Sequence, residues 1–201
     1  ITLVPDYIRA RKIGRIFQDP MKGTAPSLTI EENLALAYSR KSKSKIFSIN
    51  KEDRKVFVEL LSMLGLGLEN RLKTKIGLLS GGQRQAVTLL MSTIADPSLL
   101  LLDEHTAALD PNTAVKILEI TKELVEYSKT STMMITHDIN AALSIGNRTI
   151  MMDSGRIILD ISGEERKNMT VESLLKLYKK ESKKELSNDR ILFSAGDMGE
   201  E

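Results

Sequence analysis

Ser80, Gly81, Gly82 and Gln83 stand directly ahead of Ala86, Val87, Leu89, Leu90 and Met91, an apolar set at helical spacing. A serine followed three residues later by a glutamine is a capping-box pattern, so a helix is expected to begin at this turn. Its first turn leaves backbone N–H groups unpaired at the positive end of the dipole, and two glycines remove the side chains that would hold a ligand away. An anion is the natural guest of such a turn; an ordinary cap with glycines for tightness is the alternative. Asp103 and Glu104 end the run "SLLLL". Two adjacent ionised carboxylates at the end of a buried strand repel and need a cation or another reason to be there; magnesium, which favours carboxylate and phosphate oxygens, would be one. Gln18 and His137 also follow strand-like stretches. Taken singly, the first reads equally as a loop amide and the second as a capping histidine.

These residues need elements that bring them to one place. A short basic helical piece follows Pro5, and a strand is expected from Ile13 to Phe17, stopping before Pro20. Thr29 with Glu32 forms a second capping box ahead of "ENLALAY", and Asn50 caps a helix that stops at Gly65. Between them lies the Ser/Lys-rich connector "SRKSKSKIFSIN". Residues 20–95 are therefore expected to be mostly helical. "SLLLL" and "TSTMMITHD" read as two buried parallel strands joined by the helix that starts at Pro111 and ends at Lys129. "RTIMMDSGRIILDI" reads as two strands around a turn at Asp153 to Gly155, and "TVESLLKLYKK" as a late helix. In an open parallel sheet ligands bind beyond the carboxyl ends of the strands, which is where Gln18, Asp103, Glu104 and His137 fall.

Composition narrows the classes. At 201 residues and 41% hydrophobic, the chain can fill one substantial domain or a domain with a small subdomain. Its 29 basic and 27 acidic residues are too balanced for a nucleic-acid footprint by bulk charge. The basic residues Arg40, Lys41, Lys43 and Lys45 read as a solvated connector. No cysteine is present, which suits a reducing interior. No apolar run approaches the roughly 20 residues needed to cross a bilayer, and the first residues lack the order of a signal peptide.

Five ordered motifs carry a resemblance: "FQDP" at 17–20, "LSGGQRQ" at 79–85, "LLLLDE" at 99–104, "ALD" at 108–110 and "TH" at 136–137. In order and spacing, over residues 1–180, the chain resembles the nucleotide-binding subunit of an ATP-binding-cassette (ABC) transporter. The resemblance implies an α/β fold: a P-loop NTPase-type, RecA-like core, incomplete here, with a helical subdomain. It divides the chain into residues 1–19 as core with the Q-loop and 20–95 as helical subdomain ending in the signature helix. Residues 96–165 become core with Walker B, D-loop and H-loop, and 166–180 a C-terminal helix; the charged, glycine-containing composition of 181–201 leads to the expectation of a flexible tail.

By the same resemblance ATP and Mg2+ are the cofactors. Asp103 and Gln18 are implied at the magnesium ion, Glu104 as general base, and His137 as the group that contacts the γ-phosphate. Ser80, Gly81, Gly82 and Gln83 would contact ATP held by the other subunit of a homodimer, and Asp110 would cross the dimer interface. The implied partners are transmembrane permease subunits, docked on about Met21 to Leu36, with a separate substrate-binding protein and no nucleic acid. The implied location is cytoplasmic, on the inner face of the cell membrane.

Two departures qualify the match. None of the 12 glycines is followed by lysine, so the phosphate cradle G-x-x-x-x-G-K-[ST] is absent. The expectation is that it lies before the Q-loop in a longer protein, and that these 201 residues alone do not hydrolyse ATP. His105 stands where many members of the family carry proline. "DEHTAALDP" resembles a subgroup of uptake ATPases, the alternative being a loop residue without a message. Transport by import is thus expected, against a soluble ABC-type ATPase of DNA or ribosomes, for which neither a coiled-coil insertion nor a second cassette is present.

Overall fold

The computed structural model describes residues 2–41 and 49–180, with the side chain of Pro20 excepted. Most of the Ser/Lys-rich connector, including Lys43 and Lys45, and the expected tail lie outside the described residues. The chain forms two compact units, divided between Thr136 and His137.

The first unit is built on a parallel sheet. Strand β1 (Ile13–Ile16) pairs with β2 (Leu99–Asp103), which pairs with β3 (Ser131–Ile135), in the order β1-β2-β3. Parallel neighbours require crossovers, and helices supply them. Between β1 and β2 the chain runs through α2 (Ile30–Tyr38), α3 (Lys51–Met63) and α4 (Gly81–Thr93); α5 (Pro111–Ser128) joins β2 to β3. A short α1 (Asp6–Arg9) precedes the sheet. The result is a mixed α/β core with a helical subdomain, as the resemblance implies.

The expected caps are present. Thr29, Asn50 and Ser80 each close a capping box with Glu32, Asp53 and Gln83. Gly65 follows α3 with a φ of +60°, as a helix stop requires. Helix α4 is buried almost all round, from Gln85 to Thr93, and packs so closely on β1 that a Cβ on Gly14 would stand 2.6 Å from the Ser92 carbonyl oxygen. In the helical subdomain buried Glu31 ties α2 to Arg54 of α3 and to Lys73. Asn33, also buried, accepts from the Ala25 N–H at 2.8 Å and donates to the Ala25 and Thr29 carbonyls. These bonds pin the loop that follows the 3-10 turn Pro20–Gly23, itself capped by Asp19.

The second unit holds α6 (Ile139–Ser144), an antiparallel hairpin of β4 (Arg148–Asp153) and β5 (Arg156–Ser162), α7 (Gly163–Lys167) and a helix over residues 171–180. Ser154 and Gly155 form the hairpin turn with φ of +49° and +79°. Buried Arg166 donates to Thr149 Oγ1 and to the Ala142 and Ile145 carbonyls. Among the described residues no helix is long and apolar enough to cross a membrane.

Two expectations are corrected. β1 ends at Ile16, one residue short of the expected Phe17. β3, expected to be buried, lies at the sheet edge among the described residues, with Met133 57% and Ile135 56% exposed. A continuous apolar run does not reveal how many sides of a strand are covered.

Candidate nucleotide site

Parallel register places Ile16 beside Leu102, so the segments that follow β1 and β2 leave the same edge of the sheet. Gln18 and Glu104 meet there: Gln18 Nε2 donates to Glu104 Oε2 at 3.2 Å. Glu104 adopts a φ of +45°, an uncommon conformation for a residue with a side chain. Its N–H still donates to the Ile135 carbonyl at 3.0 Å, and its own carbonyl accepts from Ala107 N–H at 3.0 Å. The ladder is thus extended by one bond while the chain turns sharply after it. Backbone strain of this kind costs roughly 1–3 kcal/mol and persists where surrounding bonds over-determine it.

The two adjacent carboxylates have different partners. Asp103 Oδ2 lies 3.6 Å from the Arg15 guanidinium, and that guanidinium also stacks 4.5 Å from the centre of the Phe17 ring. Sequence reading missed Arg15, which stands beside Leu101 in the register of β1 and β2, two residues short of Asp103. Among the described residues no three His, Cys, Asp or Glu gather into a metal cage. Magnesium does not require one, since it binds through one or two carboxylates together with phosphate oxygens and water. A half-exposed Asp103 carboxylate with an amide two residues beyond the neighbouring strand fits that donor set.

The turn ahead of α4 forms its own cluster. Ser80 Oγ accepts from the Gln83 N–H, and Gln83 Oε1 accepts from the Ser80 N–H, both at 3.3 Å. A Cβ on Gly81 would make ordinary contact with Leu109, at 3.5 Å. On Gly82 it would collide with Thr113 Cγ2 at 2.3 Å, so packing of α4 against the start of α5 by itself requires a bare position there. Asp110 caps α5, accepting from the Thr113 N–H at 3.1 Å. Thr113 holds the Asp110 carboxyl below its ordinary range, through its side chain first and its backbone second. The starts of α4 and α5 are therefore neighbours.

Arg84 is a further organiser that sequence reading missed. Its guanidinium donates to the carbonyls of Ile76, Gly77 and Leu79, and to Met21 Sδ in the turn after Gln18. No local pattern announces a side chain that binds carbonyls of the preceding loop.

His105 is no surface loop residue. It is 3% exposed, and burial pushes its pKa down to about 4. Its Nε2 lies 3.0 Å from Thr121 Oγ1, whose only proton is donated to the Ile117 carbonyl at 2.7 Å. His105 is therefore the donor, which fixes the neutral ring with its proton on Nε2. His137 opens the second unit, two residues beyond β3. Asp138 beside it caps α6 by accepting from the N–H groups of Asn140 and Ala141.

Comparison with known proteins gives the family and the fold. Residues 6–107 match the family described as ABC transporter. The chain is 41% identical over 181 residues to the tyrosine transport ATP-binding protein of Clostridioides difficile, covering 89% of this chain and 71% of the relative. It is 37% identical to the oligopeptide transport ATP-binding protein AppD of Bacillus subtilis, over 76% of this chain and 46% of the relative. With the methionine import ATP-binding protein MetN of Streptococcus pneumoniae it shares 31%, over 96% of this chain and 57% of the relative. The fold matches the dimeric ATP-binding cassette MJ0796, solved in a post-hydrolysis state with ADP and Pi, with a TM-score of 0.65 and 33% identity over 80% of this chain and 68% of that one. With five motifs, a parallel sheet that joins Gln18 to Glu104 and relatives matched across most of its length, the chain belongs to the ABC transporter family, within its ATP-binding subunit.

Proposed function

We propose that the protein hydrolyses ATP to drive import of a solute through a membrane permease, with Glu104 as general base. The observation that carries this reading is the bond from Gln18 to Glu104 across the ends of two parallel strands. The amide nitrogen can only donate, so this bond orients the Glu104 carboxylate at the ends of the two strands, where a general base would have to stand. Glu104 takes the proton of the attacking water as its oxygen bonds to the γ-phosphorus, and the bond to the ADP oxygen breaks. Asp103 and Gln18 would hold magnesium, which supplies neutralisation of phosphate charge when bound. His137 contacts the γ-phosphate and orients the water. Chemistry of this kind is positioning and electrostatics.

Ser80, Gly81, Gly82 and Gln83 offer the open start of α4 to ATP held by a second copy of the chain, with Asp110 beside them at the interface. The dimeric state of MJ0796 supports this arrangement. Residues 20–95 act as the helical subdomain, with exposed Met21 and Leu36 in the permease-docking surface. The name of the methionine import relative supports import; a separate substrate-binding protein is the further partner that an import system of this kind implies.

The test is Glu104→Gln in the full-length protein. Turnover is expected to fall by about 10²- to 10⁴-fold, the usual contribution of a general base. Turnover near the unmodified rate would remove Glu104 from that role.

A further inference from the structure

Helix α4 carries a buried polar side chain that the chemistry above does not use. Gln85 is 1% exposed, and neither its Nε2 nor its Oε1 has a hydrogen-bond partner. A buried amide left unmade is destabilising, whereas an apolar side chain of the same length at that position is not. Its direction follows from its neighbours on the helix. Gln85, Thr88 and Ser92 share one face. Ser92 abuts Gly14 of β1, and a Cβ on Gly23 would stand 2.7 Å from Thr88 Cγ2. Arg84, on the same flank, reaches Met21. On the other flank Gly82 abuts Thr113 and Gly81 faces Leu109. Gln85 thus faces the seam between the turn that follows Gln18 and the loop that leads from Glu104 to Asp110. A carboxamide carries a donor and an acceptor, so one side chain at such a seam can bond to a carbonyl on one side and an N–H on the other.

We propose that Gln85 is a positioning residue for ATP hydrolysis. In the nucleotide-loaded state its carboxamide bridges the backbone of the turn after Gln18 and that of the Glu104 to Asp110 loop, so that the two loops close on the phosphates together. The inference rests on the roles given above to Gln18 and Glu104. It explains why the buried face of α4 carries an amide that the resting state does not satisfy.

Gln85→Met in the full-length protein keeps length and volume and removes both polar atoms. Without nucleotide its melting temperature is expected to equal or exceed that of the unmodified protein. Its kcat is expected to fall by about ten- to a hundredfold with the KM for ATP within about twofold, the mark of lost positioning and not of lost binding. With a non-hydrolysable ATP analogue, hydrogen exchange of the amides in residues 104–110 should be faster than in the unmodified protein, and equal without it. An unchanged kcat overturns the proposal. So does a lower melting temperature without nucleotide, or failure to fold, because the amide would then be needed at rest. Glu104→Gln in the same assay separates the two readings. If it abolishes turnover while Gln85→Met leaves kcat intact, only the role of Gln85 falls; if it retains turnover, the general-base reading falls and takes the bridge with it.

Discussion

Glu104 and His105 are adjacent yet answer to opposite environments. Glu104 turns at the sheet edge toward Gln18, while His105 points inward and donates to Thr121 of α5. Burial has pushed the His105 pKa down to about 4, below the ordinary 6.5. The unfolded chain therefore takes up a proton first, so the contribution of neutral His105 is complete above about pH 6.5 and is lost as pH falls toward about 4. The loss over that window should be about 3 kcal/mol at most. His105→Gln keeps an N–H donor and does not titrate. Urea unfolding at several pH values should show a shallower decline for this variant than for the unmodified protein; parallel curves would mean that His105 is not buried neutral. At this scale the sequence announced Asp103 and Glu104, because carboxylates that end a run of four leucines have no packing reason to be there. It was silent on Arg15, Arg84 and the burial of His105. Their partners lie far along the chain or on carbonyls, and one-dimensional spacing holds no trace of either.

Among elements, helix α4 separates what packing demands from what a ligand would demand. Gly82→Ala places a methyl group 2.3 Å from Thr113 Cγ2 and should destabilise by about 1–3 kcal/mol. Adding Thr113→Ser removes the colliding carbon and should restore most of that loss. Gly81→Ala meets only Leu109 at ordinary contact distance, so its stability should lie within about 0.5 kcal/mol of the unmodified protein. Thermal or urea unfolding of the four proteins checks the pattern, and an equal cost at both glycines would contradict the packing described. The caps at Thr29, Asn50 and Ser80 were legible because each is local: a side chain and a backbone N–H three residues apart. The short α6 and α7, of six and five residues, were not, since such lengths hold too few periods to register. Nor was the exposed edge position of β3, which depends on what lies beside it.

For the whole molecule, the order β1-β2-β3 decides what can meet. Eighty-six residues separate Gln18 from Glu104, and parallel pairing alone makes them neighbours. That much was legible: buried apolar runs alternating with helices predict a parallel sheet, and a parallel sheet predicts a site at its carboxyl edge. Ser80 to Gln83 and Asp110 form a second cluster at the starts of α4 and α5, which the proposed function assigns to a neighbouring copy. If so, ATP joins two subunits. The full-length Glu104→Gln protein should migrate as a dimer with ATP in size-exclusion chromatography and as a monomer without it. A monomer under both conditions would count against a site shared between copies.

Gln18 also matters for what it is not. Replacing its NH2 by oxygen, as in Gln18→Glu, would set two carboxylates where an amide now donates across 3.2 Å. Carboxylates that close do not both ionise readily, and such a pair retains a proton of its own. Under the proposed function, such a pair would compete for the proton that the attacking water gives up. An uncharged neighbour of nearly the same shape donates to the carboxylate without adding a second proton-binding group, so the neutrality of one side chain keeps this edge of the sheet from becoming a proton trap.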